Sequence, residues 1–93
     1  MIIGCLVLEI YLPYSHSLKE KRQRLKRLKD RLKTRHNVAF SELDYQDKWQ
    51  RSRIGMVTLN SRKVVIEKTF NQIIRDTEEC IDGEVLNTEI SYL

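Results

Sequence analysis

A single proline and three glycines in 93 residues leave no room for a linker or a low-complexity segment, so the chain reads as one domain. The two cysteines, Cys5 and Cys80, make neither a disulfide framework nor a metal-ligand spacing. They read as buried free thiols in a reducing cytoplasm. No apolar run approaches the roughly 18 residues that a membrane span needs. The first dozen residues are apolar but lack a basic start and a small-residue cleavage site, so no signal peptide is expected. There is no Gly-rich phosphate loop, no nucleophile elbow, no HExxH and no CxxC. Neither an enzyme, nor a cofactor, nor a metal is therefore expected. The aromatic pattern of RNA-recognition strands is also missing. The residues are 41% apolar and 32% charged, which suits a soluble globular domain with a modest core.

What the chain does have is cations concentrated in one place. Leu18 to His36 holds ten basic residues against Glu20 and Asp30, a net +8 in a chain whose total is +4. The run predicts a helix over 18–36. Ser17 and Glu20 have capping-box spacing, by which each satisfies an orphan amide. Leu18, Leu25, Leu28 and Leu32 make a narrow apolar stripe. The cations fall in two rows around the wheel. Arg24, Arg27, Arg31 and Arg35 form one, and Lys19, Arg22, Lys26, Lys29 and Lys33 form the other. At about 1.5 Å per residue the rows run roughly 27 Å, long enough to follow a phosphate backbone. A solvated face is the plainer reading, because Lys and Arg stems cover apolar surface and Glu20–Arg24 and Lys26–Asp30 are local pairs. The shortage of acids argues against it, since like charges one turn apart repel and an anionic partner would relieve them. Replacing Arg24, Arg27 and Arg31 with Gln is expected to weaken RNA binding and leave stability nearly unchanged.

The flanks read as strands and a second helix. Residues 2–12 alternate, with Ile2, Gly4, Leu6, Leu8, Ile10 and Leu12 on one face and Ile3, Cys5, Val7, Glu9 and Tyr11 on the other. Both faces are largely apolar, which marks a central strand. Pro13 ends it, and Asn37 is expected to close the basic helix in a left-handed conformation. Strands follow at 38–44 and 53–59, separated by the polar loop 45–51. Asn60 or Ser61 is expected to cap a helix over 62–81 with the stripe Ile66, Phe70, Ile73, Ile74 and Ile81. Glu78 and Glu79 stand at the end of that helix where the dipole disfavours anions. Residues 84–92 make the last strand. The order βαββαβ implies an α+β, ferredoxin-like two-layer sandwich, with an antiparallel sheet in order 4-1-3-2 and both helices on one face. The crossover reading places the first and third strands centrally and parallel to one another.

Two motifs carry a family resemblance. The first is S-L-K-x-K-R at Ser17, Leu18, Lys19, Lys21 and Arg22. The second is E-x-D-x-x-D-x-W-Q-R at Glu42, Asp44, Asp47, Trp49, Gln50 and Arg51, followed by Gly55. With them the chain resembles, nearly end to end, the YlxP-like bacterial family, a domain of unknown function. The resemblance implies a ferredoxin-like fold. It also implies a link to RNA or the ribosome by association only, because the family's genes often lie beside translation-initiation and ribosome-maturation genes. It brings no catalytic residues.

Glu42, Asp44 and Asp47 have the oxygen chemistry of a Mg²⁺ site, but pairing with Arg51, Arg53 or the basic helix is the preferred reading. Trp49 reads as packing that orders its loop, with base stacking beside Lys48 and Arg51 as the alternative. His16 and His36 read as surface residues near helix caps. The function expected is a non-enzymatic binder of structured RNA or of a ribosomal component. Both rows would supply phosphate contacts, with Trp49 and Arg51 as secondary contacts, and recognition would be by charge and shape. The alternative is a homo-oligomeric protein-interaction module that docks an acidic partner protein on the basic helix. Ile3, Cys5, Val7 and Tyr11 give the open sheet face more apolar surface than a monomer normally leaves wet, so a homodimer, formed through that face or along an edge strand, is expected. No membrane partner is expected, because the helix has no aromatic anchors.

Overall fold

The computed structural model describes residues 1–93. Six elements follow in the order β1 (Ile2–Tyr11), α1 (Leu18–Arg35), β2 (Ala39–Asp44), β3 (Arg51–Asn60), α2 (Lys63–Cys80) and β4 (Glu84–Tyr92). The sheet order is β2-β3-β1-β4. This is the expected ferredoxin-like sandwich. β1 and β3 are central but antiparallel, pairing from Ile2 with Asn60 to Tyr11 with Arg51. The expectation that they run parallel fails for a topological reason. Each crossover makes its own two strands parallel, β1 with β2 and β3 with β4, and the β2–β3 hairpin then reverses β3 against β1. No helix is long and apolar enough to cross a membrane.

The alternation of β1 sets the two layers. Leu6, Leu8 and Ile10 are fully buried under both helices, in one cluster with Leu25, Leu28 and Leu32 of α1 and Ile66, Phe70 and Ile73 of α2. The other face of β1 is only partly covered, and its neighbours Val57 and Leu59 on β3 are exposed. Cys5 on that face and Cys80 on α2 are both half-buried and free, so neither is the fully buried thiol expected.

Element ends differ from expectation where tertiary contacts decide them. Ser17 does cap α1, accepting from the Glu20 amide at 3.1 Å. Glu20 returns to the His16 amide at 2.6 Å and not to Ser17. α1 ends at Arg35 with His36 in extended conformation, so Asn37 forms no left-handed cap. The left-handed residues are Tyr45 and Asp82. β3 begins at Arg51 because Arg51 and Ser52 pair with Tyr11 and Ile10. Arg62 stands at the N-cap of α2 with no side-chain bond, and Asn60 accepts the Arg62 amide at 2.9 Å.

Gly4 lets α2 approach β1. A Cβ there would lie 2.6 Å from Ile66 Cγ2 and 3.0 Å from Phe70 Cε2, both buried core atoms. Gly4→Ala is expected to force that seam apart and to cost about 1–3 kcal/mol. Urea unfolding measures it, and an unchanged midpoint would show that the seam yields freely.

Candidate functional site

The apolar stripe of α1 has a fifth member. Lys21 stands between Leu18 and Leu25 at helical spacing and is 1% exposed. A buried ammonium must be paired and hydrogen-bonded. Lys21 Nζ lies 2.9 Å from Glu42 Oε2, and it donates to the Tyr45 carbonyl at 2.5 Å and the Arg51 carbonyl at 3.0 Å. Three acceptors match its three protons. The same oxygen of Glu42 also accepts from the buried Ser52 hydroxyl at 2.6 Å.

These contacts fasten both ends of the 45–50 loop to α1. Further bonds stitch it to the segment after β1. The Leu12 amide donates to the Gln50 carbonyl at 2.8 Å, and Gln50 Nε2 donates to the Pro13 carbonyl at 3.1 Å. Within the loop, the Lys48 amide donates to the Tyr45 carbonyl at 3.0 Å. The backbone therefore orders the loop, and Trp49 is not its packing core. Trp49 is 53% exposed. It forms one side of a depression of about 520 Å³ lined by Tyr11, Tyr45, Asp47, Lys48, Trp49, Gln50 and Arg51. Arg51 sits with its guanidinium carbon 5.0 Å from the Tyr45 ring centroid and pairs with Glu9 at 3.2 Å. Arg53 joins Glu9 to Glu89, at 3.0 and 3.1 Å, so the cations of this sheet face are balanced by carboxylates.

The two basic rows have different surroundings. Three members of the arginine row turn to α2. Arg24 donates to the Ile81 carbonyl at 3.3 Å. Arg31 pairs with Glu79 at 3.6 Å, and its Nε is buried without a partner. Arg35 pairs with Asp76 at 3.0 Å, and His36 meets the other oxygen of that carboxylate at 3.1 Å. His36 is thus half-buried in a charged seam, unlike the exposed His16. Glu79, placed against the dipole of α2, is opposite a guanidinium. Arg27 alone in this row is exposed and unpaired. The expectation that Arg24, Arg27 and Arg31 are all exposed charges is therefore corrected for Arg24 and Arg31, which are half-buried and tie α1 to the C-terminal end of α2.

The other row lies along the opposite flank of the leucine stripe. Lys19, Arg22, Lys26, Lys29 and Lys33 are all exposed, and the one acid paired with any of them is Asp30, 3.6 Å from Lys26. Arg22, Lys26 and Lys29 line a groove of about 430 Å³ with Phe40, Ser41 and Glu42 of the edge strand β2. The carboxylates weighed for Mg²⁺ do not converge. Glu42 belongs to Lys21, Asp44 accepts the Tyr45 amide at 2.7 Å, and Asp47 lines the aromatic depression. No group of three potential ligands forms anywhere in the fold. Tyr11 and Tyr45 were not among the expected site residues; what would have pointed to them is the strand register that sets Tyr11 beside Arg51.

Lys21→Met alone strands Glu42 beside the core and is expected to cost about 3–5 kcal/mol. Lys21→Met combined with Glu42→Met removes both charges and is expected to recover part of that loss. Urea unfolding of the single and double variants checks this, and strictly additive losses would show that the two side chains are not coupled.

The sequence matches, over residues 3–90, the model of a family described as "Protein of unknown function (DUF503)". It is 38% identical over 90 residues to "Uncharacterized protein YlxP" of Bacillus subtilis (strain 168), which covers 95% of this chain and 98% of that protein. Among solved structures, the de novo designed protein Foldit4 is similar at TM-score 0.57 and 14% identity, covering 100% of this chain and 97% of that one. The de novo designed protein Ferredog-Diesel is similar at TM-score 0.52 and 13% identity, covering 96% of this chain and 83% of that one. These two likenesses concern the fold alone.

Proposed function

The chain belongs to the DUF503 family of proteins of unknown function, and we propose that it acts as a non-enzymatic RNA-binding protein through the exposed basic row of α1. The observation that supports this reading is the contrast between the two flanks of the helix. One flank spends its cations on Asp76, Glu79 and the Ile81 carbonyl. The other leaves Lys19, Arg22, Lys29 and Lys33 exposed with no acidic partner. The fold does not use these four charges, and they repel one another one turn apart. Phosphates spaced along a backbone relieve that repulsion, and contacts to them position a ligand without reading bases. Structured RNA, ribosomal RNA included, offers such an array. Arg27 adds to the field from the far flank. No reacting group is required, so the activity proposed is binding only.

The groove beside β2 keeps a second reading in view. An unpaired edge strand flanked by cations also suits an extended acidic peptide. Salt titrations separate the two. Arg22→Gln, Lys26→Gln and Lys29→Gln together remove three charges from the exposed row. RNA binding should weaken, and the slope of log K against log salt should flatten by about 2, at roughly 0.7 per phosphate contact. Arg24→Gln with Arg31→Gln should instead lower the unfolding midpoint and change the slope less. If the first variant binds total RNA as tightly as the parent but loses affinity for polyglutamate, the acidic-peptide reading replaces this one.

A further inference from the structure

We infer that the depression at the 45–50 loop is a stacking subsite for one unpaired purine nucleotide. The choice of ligand rests on the RNA reading above. The argument for a site rests on the loop itself. Trp49 is the one tryptophan of the chain, and the fold does not bury it. An exposed indole on a loose loop loses its ordering entropy on every binding event, which lowers affinity. This loop is held from behind by a buried ammonium, through the carbonyls of Tyr45 and Arg51. Those two residues flank the segment that carries Trp49, so the frame is stiff before anything binds.

The chemistry of the walls selects the ligand. Tyr11, Tyr45 and Trp49 offer aromatic faces, and the cavity of about 520 Å³ lies within the range of small-molecule sites, roughly 300–1,000 Å³. Lys48 brings an unpaired positive charge to the same walls, which also hold Asp47 and the Arg51 guanidinium paired with Glu9. Arg51 lies between the Glu9 carboxylate, 3.2 Å away, and the Tyr45 ring. A flat π-system that bears an anion fits both features. Stacking tolerates any base, and purines present the larger face. A duplex keeps its bases inside the stack and has none to offer, so the subsite favours loops, bulges and single strands over paired RNA.

The sole indole reports its own occupancy. Titration with AMP should quench Trp49 fluorescence saturably, adenosine should do so more weakly, and ribose 5-phosphate should leave it unchanged. Arg51→Gln should narrow the gap between AMP and adenosine. Trp49→Ala, followed by NMR shifts of the tyrosine rings, should weaken AMP binding about 5- to 150-fold, the range measured for loss of one stacked base. Trp49→Phe should restore most of it, which separates stacking from a folding defect. The variant lacking Arg22, Lys26 and Lys29 charges should still bind AMP like the parent. Saturable AMP binding without any affinity for polymeric RNA would support the subsite and remove the basic-row reading. RNA binding that is unchanged in Trp49→Ala, with no saturable AMP quenching in the parent, would overturn the subsite and leave the basic row standing. Equal quenching by AMP and ribose 5-phosphate would also overturn it, because the base would then contribute nothing.

Discussion

A lysine ammonium placed among leucines is the constraint on which much of this fold turns. Taking such a charge out of water costs several kcal/mol unless acceptors replace its hydration shell. Lys21 finds three, and they come from the end of β2, the loop after it and the start of β3. One side chain therefore fixes where α1 sits relative to the hairpin. It also fixes the path of the hairpin loop, since Tyr45 must turn its carbonyl inward. Tyr45 does so with a left-handed backbone, φ 63°, supported by the Asp44 carboxylate on its amide. An apolar residue in place of Lys21 would pack well against Leu25 but would leave the loop to find its own shape.

The same stripe divides the charge of α1. Leu25, Leu28 and Leu32 face the sheet, so residues to either side emerge at opposite borders of the helix layer. One border abuts α2 and the other abuts only the edge strand β2. Acids on α2 then act on one row alone. Asp76 and Glu79 are three residues apart and reach Arg35 and Arg31, which are four apart, as two antiparallel helices bring one turn against one turn. Exposed pairs of this kind contribute little each, but they decide which guanidiniums are occupied. A helix of uniform charge in the sequence thus becomes a helix with one flank mostly engaged at α2 and one flank left free.

How much of this could be read beforehand varied by residue, for physical reasons. The strands and both helices followed from alternation and from a 3.6-residue period, and their order implied the sandwich. Lys21 was legible in principle, since it fills the gap between Leu18 and Leu25 in the stripe. Its charge hid it, because a cation in a run of ten reads as solvated until a partner is seen. Glu79 gave a local signal as well: an anion at the unfavourable end of a helix asks for a cation elsewhere. Which row would supply that cation could not be told, because helix packing direction is not written in either helix alone. The aromatic cluster was least legible. Tyr11 and Trp49 are brought together by the register of β1 on β3 and by a loop conformation that depends on Lys21. Neither is a property of the local sequence.

The irregularity in β2 connects these features. The register of β2 on β3 shifts between Glu42 and Asp44, which leaves Leu43 as the extra residue. A bulge of this kind re-aims the side chains on either side of it. Before it, Glu42 lies opposite the buried Ile54 and so points to the helix face, where Lys21 waits. After it, Asp44 lies opposite Arg53, on the open face. Leu43 itself is laid over Gly55, where a Cβ would come within 2.7 Å of its Cδ1. A regular strand would continue to alternate and would bring Tyr45 to the loop in a different orientation, with its carbonyl no longer set toward the ammonium. The glycine that accommodates Leu43 thereby makes room for the bulge. The bulge sets the turn at Tyr45, and that turn positions the aromatic wall at the end of the sheet.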